Sequence, residues 1–221
     1  MITCRLKSVS KNDKWGTNDV LQYEQSLWGE GFTRVAGVDE VGRGCLFGDV
    51  VAGAVILPPG LVIEGVNDSK KLSEKKREQL YEVIANSSIA WSVARVNASI
   101  VDDINIKQAA RLAMKIAVES LQVAADYLLV DAEKVDLSLP QQSIIKGDAT
   151  SQSIAAASIM AKVTRDRLCM GEWEEQFPEY GICIHKGYAT KLHRERLLEH
   201  GPSLQHRRTF LRKLLGDSPS I

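Results

Sequence analysis

The chain has 221 residues, 44% of them apolar and 25% charged, a composition that supports one packed core and excludes a disordered or fibrous protein. Lys and Arg total 28, as do Asp and Glu, so no overall basic balance points to a nucleic-acid partner. The four cysteines show no C-x-x-C spacing, which argues against a zinc site or a disulfide framework. No apolar run is long enough to span a bilayer, so a cytoplasmic location is expected.

In chain order, residues 1–17 are polar and read as a flexible segment. Val20, Tyr23, Leu27 and Trp28 recur at helical spacing over 18–28, and Gly29 and Gly31 close that helix. TRVAGV (33–38) and DVVAGAVIL (49–57) read as strands, the second stopped by Pro58-Pro59-Gly60. Ser73 opens a short helix over 73–86, and WSVARVNA (91–98) alternates as a third strand. Ala109, Leu112, Ala113, Ile116 and Ala117 form the stripe of a helix near 100–123. DYLLVDA (126–132) is a buried strand, and SIIKGD (143–148) a fifth strand or a turn. The segment 150–173 predicts a long helix with small residues at Ala155, Ala156, Ala157 and Ser158, suited to lying close on a sheet. A further helix is expected near 190–199. The order predicts an α/β fold with a mixed sheet whose first three strands are neighbours.

Three acids end or follow strands in this reading. Asp39 closes VAGV, Asp131 closes LLV, and Asp148 precedes the long helix. An acid in such a place is most often a turn former, and Asp148 before Thr-Ser reads equally as a helix N-cap. Acids at one sheet edge can also converge in a crevice. Two carboxylates about 4 Å apart repel by roughly 4 kcal/mol at an effective dielectric of about 20. A converged set therefore calls for a hard divalent cation, Mg²⁺ or Mn²⁺, and would serve phosphoryl transfer. Glu40 poses a geometric condition, because adjacent side chains on a regular strand face opposite ways. Asp39 and Glu40 reach one site only if the strand ends or bulges there, which Gly42 and Gly44 would permit. No Ser or Cys stands in a nucleophile-and-base arrangement. The four histidines lie beyond residue 184, read as exposed, and receive no catalytic role.

Six segments, GVDEVGRG (37–44), NDSKKLSEKKRE (67–78), INIKQAARLAMKIAV (104–118), LLVDA (128–132), KGDATSQSIAAASIMAKVTRDR (146–167) and HKGYATKLH (185–193), occur in the order and form of ribonuclease HII. The chain resembles that family from about residue 18 to 210. The resemblance implies an RNase H-like fold, with a mixed five-stranded sheet flanked by helices. A catalytic core over 18–180 would carry a basic helical C-terminal portion over 181–221 in the same unit. It implies an endonuclease dependent on Mn²⁺ or Mg²⁺ that cuts 5′ to a ribonucleotide, leaving 3′-hydroxyl and 5′-phosphate ends. Its substrates would be RNA/DNA hybrids and ribonucleotide-containing duplex DNA, so that it removes misincorporated ribonucleotides and RNA primers. The catalytic, metal-binding acids fall on Asp39, Glu40, Asp131 and Asp148. The motif that reads the ribose 2′-hydroxyl falls on Gly42, Arg43 and Gly44, further substrate contacts on Asn67 and Lys70, and the substrate tyrosine on Tyr188. Ribonuclease HIII is similar but carries Gly-Thr-Gly at the ribose-reading motif and a long N-terminal extension.

The chain departs from the family after Gly44. Cys45-Leu46-Phe47-Gly48-Asp49-Val50 stands where the usual sequence is close to PLAGPV. Loss of two prolines implies a looser loop, and Asp49 implies a negative charge near the phosphate path. Segment 184–213 holds eight Lys and Arg against two Glu, a net +6, and is expected to form a basic surface for a duplex. Lys70, Lys71, Lys75, Lys76 and Arg77 form a second basic patch. The tail shows no evident replication-clamp motif, and a monomer is the expected state.

Overall fold

The computed structural model describes residues 7–8, 20–67 and 69–215. The 1–17 segment lies outside the described residues apart from Lys7–Ser8 (β1), and so does the chain beyond 215. The N-terminal half runs through α1 (Gln22–Gly29), β2 (Val35–Val41), β3 (Val50–Ile56) and β4 (Leu61–Val62), the last pairing with β1. Next come α2 (Glu74–Ser87), β5 (Ala90–Val96), α3 (Ala98–Glu119), β6 (Tyr127–Asp131) and β7 (Gln141–Ile144). The chain continues with α4 (Gln152–Met170), α5 (Glu172–Gln176), α6 (Ile182–His185), α7 (Lys191–His200) and α8 (Arg208–Leu215). Among the described residues no helix is long and apolar enough to cross a membrane.

The sheet is the mixed, five-stranded one expected, in the order β5-β3-β2-β6-β7. β2 pairs antiparallel with β3, and β3 with β5, while β2–β6 and β6–β7 are parallel. The apolar runs of β2 and β3 follow from burial on both faces. Ala36, Val38, Ala52 and Ala54 pack against α3, whereas Val55 and Leu57 pack under α2 and α4. α4 lies unusually close to the sheet. A Cβ added at Gly37 would overlap the main chain of Ser153 and Ile154, and one at Gly53 would stand 2.5 Å from the Ala157 carbonyl oxygen. Only glycine in the strands and small residues on the helix allow this approach. It brings Ser158 of α4 against the C-terminal half of β2.

Two local expectations change. α3 spans Ala98–Glu119 and is interrupted at Asn105, at φ 65 and ψ 160. There the Asn105 side chain accepts from the N–H groups of Lys107 and Gln108, restarting the helix. The N-cap of α4 is Ser151, whose hydroxyl accepts from Ile154 N at 3.2 Å. Asp148 is therefore not the cap. It sits in a single 3₁₀ turn, Gly147–Ala149, that precedes the helix.

The C-terminal helices close on the 42–49 loop through a separate apolar cluster that includes Leu46, Phe47, Trp173, Tyr180, Ile182 and Leu197.

Candidate active site

The four acids gather where β2 outruns β6. The parallel pairing stops at Val38↔Val130, while β2 stays paired to β3 through Val41↔Val51. No bulge or strand end is present at Asp39 and Glu40, contrary to the condition set by the sequence. Their side chains do lie on opposite faces, with Asp39 toward Ser158 of α4 and Glu40 toward Arg43 and Glu133. Both act on Asp131 because β6 ends there, leaving the edge of β2 open for two side chains to reach round it. Asp131 accepts from Gly147 N at 2.7 Å, which ties the turn bearing Asp148 to the end of β6. Lys70 reaches Asp148 at 3.5 Å from a largely exposed position.

Electrostatics follow from this crowding. Burial, and then the charges of Glu40 and Asp131, push the Asp39 carboxyl well above its ordinary range, against hydrogen bonds from Ser158 and from Glu40 N. Burial also raises Glu40, opposed by the hydrogen bond and charge of Arg43. Asp131 is raised by burial and by Asp148, opposed by the Gly147 N–H and by Lys70 and Arg43. Ser69 and Ser158 share a 2.9 Å hydrogen bond.

Among the described residues no three His, Cys, Asp or Glu side chains are already arranged to hold a metal ion. The reason lies in the partners. Glu40 Oε1 is bonded to Arg43 at 3.0 Å, Asp148 is drawn to Lys70, and Asp131 to Gly147 N. The donors nevertheless fit a hard divalent cation. They are all carboxylate oxygens, burial and then neighbouring acids raise Asp39, Glu40 and Asp131, and Glu40 Oε2 is buried without any hydrogen-bond partner.

The Gly-Arg-Gly turn stands beside the acids. Gly42 has φ +92, and its carbonyl accepts from Cys45 N, closing the turn. Gly44 faces open space, with no atom within 4 Å of a Cβ added there. The N–H groups of Arg43 and Gly44 have no main-chain acceptor among the described residues. Arg43 is held by Glu40 and, at 3.4 Å, by Glu133. Tyr188 is 40% exposed, on the turn that follows α6. Asn67 is exposed on the approach to the 3₁₀ turn Ser69–Lys71.

The departure from the family's loop has consequences opposite to those expected. Asp49 is buried, not set on a phosphate path, and Arg95 donates to its Oδ2 at 2.7 Å. The loop is not loose either. Arg165, fully buried, donates to the carbonyls of Phe47, Asp49 and Lys186. Arg207, equally buried, donates to the carbonyls of Gly42, Arg43 and Gly48. Five carbonyls of the loop, held by two buried guanidinium groups, thus take over the stiffening that proline would supply. Burying Arg207 removes it from the basic surface expected over 184–213. His185, His193 and His206 are likewise buried rather than exposed.

Several of these residues escaped sequence reasoning. Glu133, one residue beyond the LLVDA segment, carried no spacing signal, and Arg165 and Arg207 read as ordinary charges on helical segments. Ser158 was visible as a small residue but not as a donor to Asp39.

Comparison with known proteins agrees with the fold. The family model described as Ribonuclease HII matches residues 36–213. A ribonuclease HII of Alkaliphilus metalliredigens is 60% identical over 201 residues, covering 88% of this chain and 98% of that protein. Its counterpart in Alkaliphilus oremlandii is 56% identical with the same coverage. Among solved structures, ribonuclease H2 of Pyrococcus horikoshii superposes with a TM-score of 0.67 at 28% identity, covering 82% of this chain and 96% of the other. An Archaeoglobus fulgidus ribonuclease HII, solved in complex with PCNA, gives 0.67 at 26% identity, with 83% and 98% covered.

Proposed function

The chain belongs to the ribonuclease HII family and is a type 2 ribonuclease H, an endonuclease class that acts on RNA/DNA hybrids with divalent metal ions. From that premise we propose that it cuts the phosphodiester on the 5′ side of a ribonucleotide, in hybrids and at single ribonucleotides embedded in duplex DNA. A water oxygen bonds to phosphorus as the bond from phosphorus to the upstream O3′ breaks, and O3′ takes up a proton. The ends are a 3′-hydroxyl and a 5′-phosphate. Removal of misincorporated ribonucleotides and RNA primers is the role such a cut serves.

Asp39, Glu40, Asp131 and Asp148 would hold the ions, Mn²⁺ or Mg²⁺. Bound there, these would activate the water and neutralise charge on the leaving oxygen. The observation that carries this reading is the mutual perturbation of Asp39, Glu40 and Asp131 at the open end of β2, with Asp148 tied in through Gly147. Gly42, Arg43 and Gly44 would read the 2′-hydroxyl, the group that separates RNA from DNA at a site. The turn can approach a sugar closely because Gly44 has no neighbour on its open side. Arg43, fixed between two carboxylates, orients the turn. Tyr188 offers an exposed ring to the adjoining sugar. Lys70 reaches Asp148, Asn67 is exposed just ahead of the Ser69–Lys71 turn, and both would contact the backbone of the duplex.

Substituting Asp131→Asn tests the assignment. It keeps the side-chain shape but removes one metal-binding charge. The variant is expected to bind a duplex with one ribonucleotide about as tightly as wild type while losing cleavage by at least about 100-fold. Wild-type cutting rates in the variant would remove Asp131 from the site.

A further inference from the structure

The turn that carries Tyr188 is held more fully than its exposure suggests. Lys186 and Gly187 both have positive φ, 53 and 82. Every main-chain polar group from Lys186 to Tyr188 is engaged. Lys186 N donates to Ile182 O, and Lys186 O accepts from Arg165 at 2.8 Å. Gly187 N donates to His185 Nδ1, and Gly187 O accepts from Leu46 N of the ribose-reading loop. Tyr188 N donates to His185 O, and Tyr188 O accepts from Thr190 N and from His193 Nδ1 at 2.9 Å.

The histidines behind this turn form a chain whose proton positions are determined by its ends. Ser203 N–H can only donate, and it points at His206 Nδ1 at 3.0 Å, so that nitrogen is bare. Neutral His206 therefore carries its proton on Nε2, which lies 3.0 Å from His193 Nε2. His193 Nε2 must accept, so its proton is on Nδ1, facing the Tyr188 carbonyl, which can only accept. His185, stacked on His193 at 4.2 Å, takes the Gly187 N–H on Nδ1 and donates from Nε2 to Tyr180 O. Every donor meets an acceptor only in this one assignment. A proton added to His193 or His206 would set two N–H groups against each other, and the buried, uncompensated charge opposes it as well. Burial lowers His193 to about 4 and His206 to about 3, in keeping with a neutral chain at pH 7.

We propose that His206, His193 and His185 form a neutral relay of fixed tautomers that positions Tyr188 for the substrate, so that His193 and His185 are positioning residues of the nuclease. This rests on the role given to Tyr188 above. The histidines touch no substrate in this account. They act by fixing where the Tyr188 ring stands relative to the loop 42–49, to which the same turn is bonded through Leu46 and Arg165.

Two measurements test the relay. In the full-length chain labelled with ¹⁵N-histidine at pH 7, the expected spectrum shows three neutral rings, with protons on His206 Nε2, His193 Nδ1 and His185 Nε2. A scalar coupling should cross the N–H···N bond between His206 and His193. A charged ring at His206, His193 or His185, or a proton on His193 Nε2, would overturn the proposal whether or not the protein is a nuclease. The second measurement is a kinetic cycle on a duplex with one ribonucleotide. His193→Leu should lower kcat/KM about tenfold, the worth of one lost hydrogen bond, chiefly through KM. His193→Asn, whose amide nitrogen occupies the place of Nδ1, should recover most of it. In a Tyr188→Ala background the His193→Leu change should add little. Full additivity of the two changes, or an Asn variant no better than Leu, would make His193 a merely structural residue. Failure of wild type to cut any ribonucleotide-containing duplex would instead refute the proposed function and leave the spectrum to decide the relay.

Discussion

Gly53→Ala is expected to weaken both the fold and the site through one added methyl group. Gly53 is buried on β3, directly opposite Asp39 in the antiparallel register. Its added Cβ would stand 2.5 Å from Ala157 O and 3.2 Å from Ala157 C. Ordinary contacts begin near 3.4 Å, so α4 must retreat by about 0.5–0.9 Å at Ala157. Overpacking of this kind costs about 1–3 kcal/mol, because backbone rather than a flexible side chain must move. For a chain of this size that is a fall in Tm of roughly 2–12 °C. The next residue on α4 is Ser158, the donor to Asp39, so the same retreat pulls that hydrogen bond apart. A misplacement of about 1 Å can cost about 100-fold in rate, and a shift of half that or more should lower kcat roughly tenfold. Urea unfolding and single-turnover cutting of a ribonucleotide-containing duplex read the two effects. Gly29→Ala, at a position where an added Cβ meets nothing within 4 Å, controls for loss of glycine itself. A Gly53→Ala protein as stable and as active as the Gly29→Ala control would refute the claim that helix–strand proximity sets the site.

Three other outcomes follow from the electrostatics. Mn²⁺ at about 100 times its Kd should stabilise the protein by about 2.7 kcal/mol, raising Tm by roughly 5–10 °C. Asp131→Asn should lose that gain and melt higher than wild type in the absence of metal, since one repelling charge is gone; calorimetry with and without Mn²⁺ checks both. Because His193 and His206 are held below their ordinary value near 6.5, their contribution to stability is present above pH 6.5. It is lost as pH falls toward about 4 and 3, where the unfolded chain takes up protons the folded one refuses. Asp39 and Glu40 are raised and act in the opposite sense, so the test compares urea midpoints at pH 7 and 4.5 for wild type and a His193→Asn/His206→Gln variant, the latter falling less. Arg95→Met should destabilise by about 1–3 kcal/mol, because it leaves buried Asp49 without the cation hydrogen-bonded to it, with only the charge of Arg207 nearby, and Oδ1 already lacks a partner. Adding Asp49→Ala should restore most of that loss, and a stable single variant would refute it.

Strands and helices were legible because their apolar patterns report burial directly. VAGV and VVAGAVI are buried on both faces, and the small-residue run of α4 proved to be the surface that touches them. Asp131 was legible as a strand-end residue, whereas Asp39, read as closing VAGV, lies inside β2, which runs on to Val41. How Asp39 and Glu40 reach a common neighbour was not legible. That depends on β6 stopping at Asp131 while β2 continues, a relation between strands distant in sequence. Asp148 misled as a helix cap because its turn and the true cap, Ser151, are only three residues apart. Buried Arg207 and the histidines were read as exposed because charge in a sequence defaults to the surface, and Arg165 carried no signal of its burial. Their partners, main-chain carbonyls and one another, leave no sequence pattern.

The acids at the open end of β2 are proposed to direct cutting of nucleic acid beside a ribose. An end-labelled duplex with one embedded ribonucleotide, incubated with Mg²⁺ or Mn²⁺ beside an all-DNA control, tests it most directly. A single metal-dependent cut on the 5′ side of the ribonucleotide, leaving a 3′-hydroxyl, is expected, with the control intact. Equal cutting of both duplexes, or no cut with either ion, would contradict it.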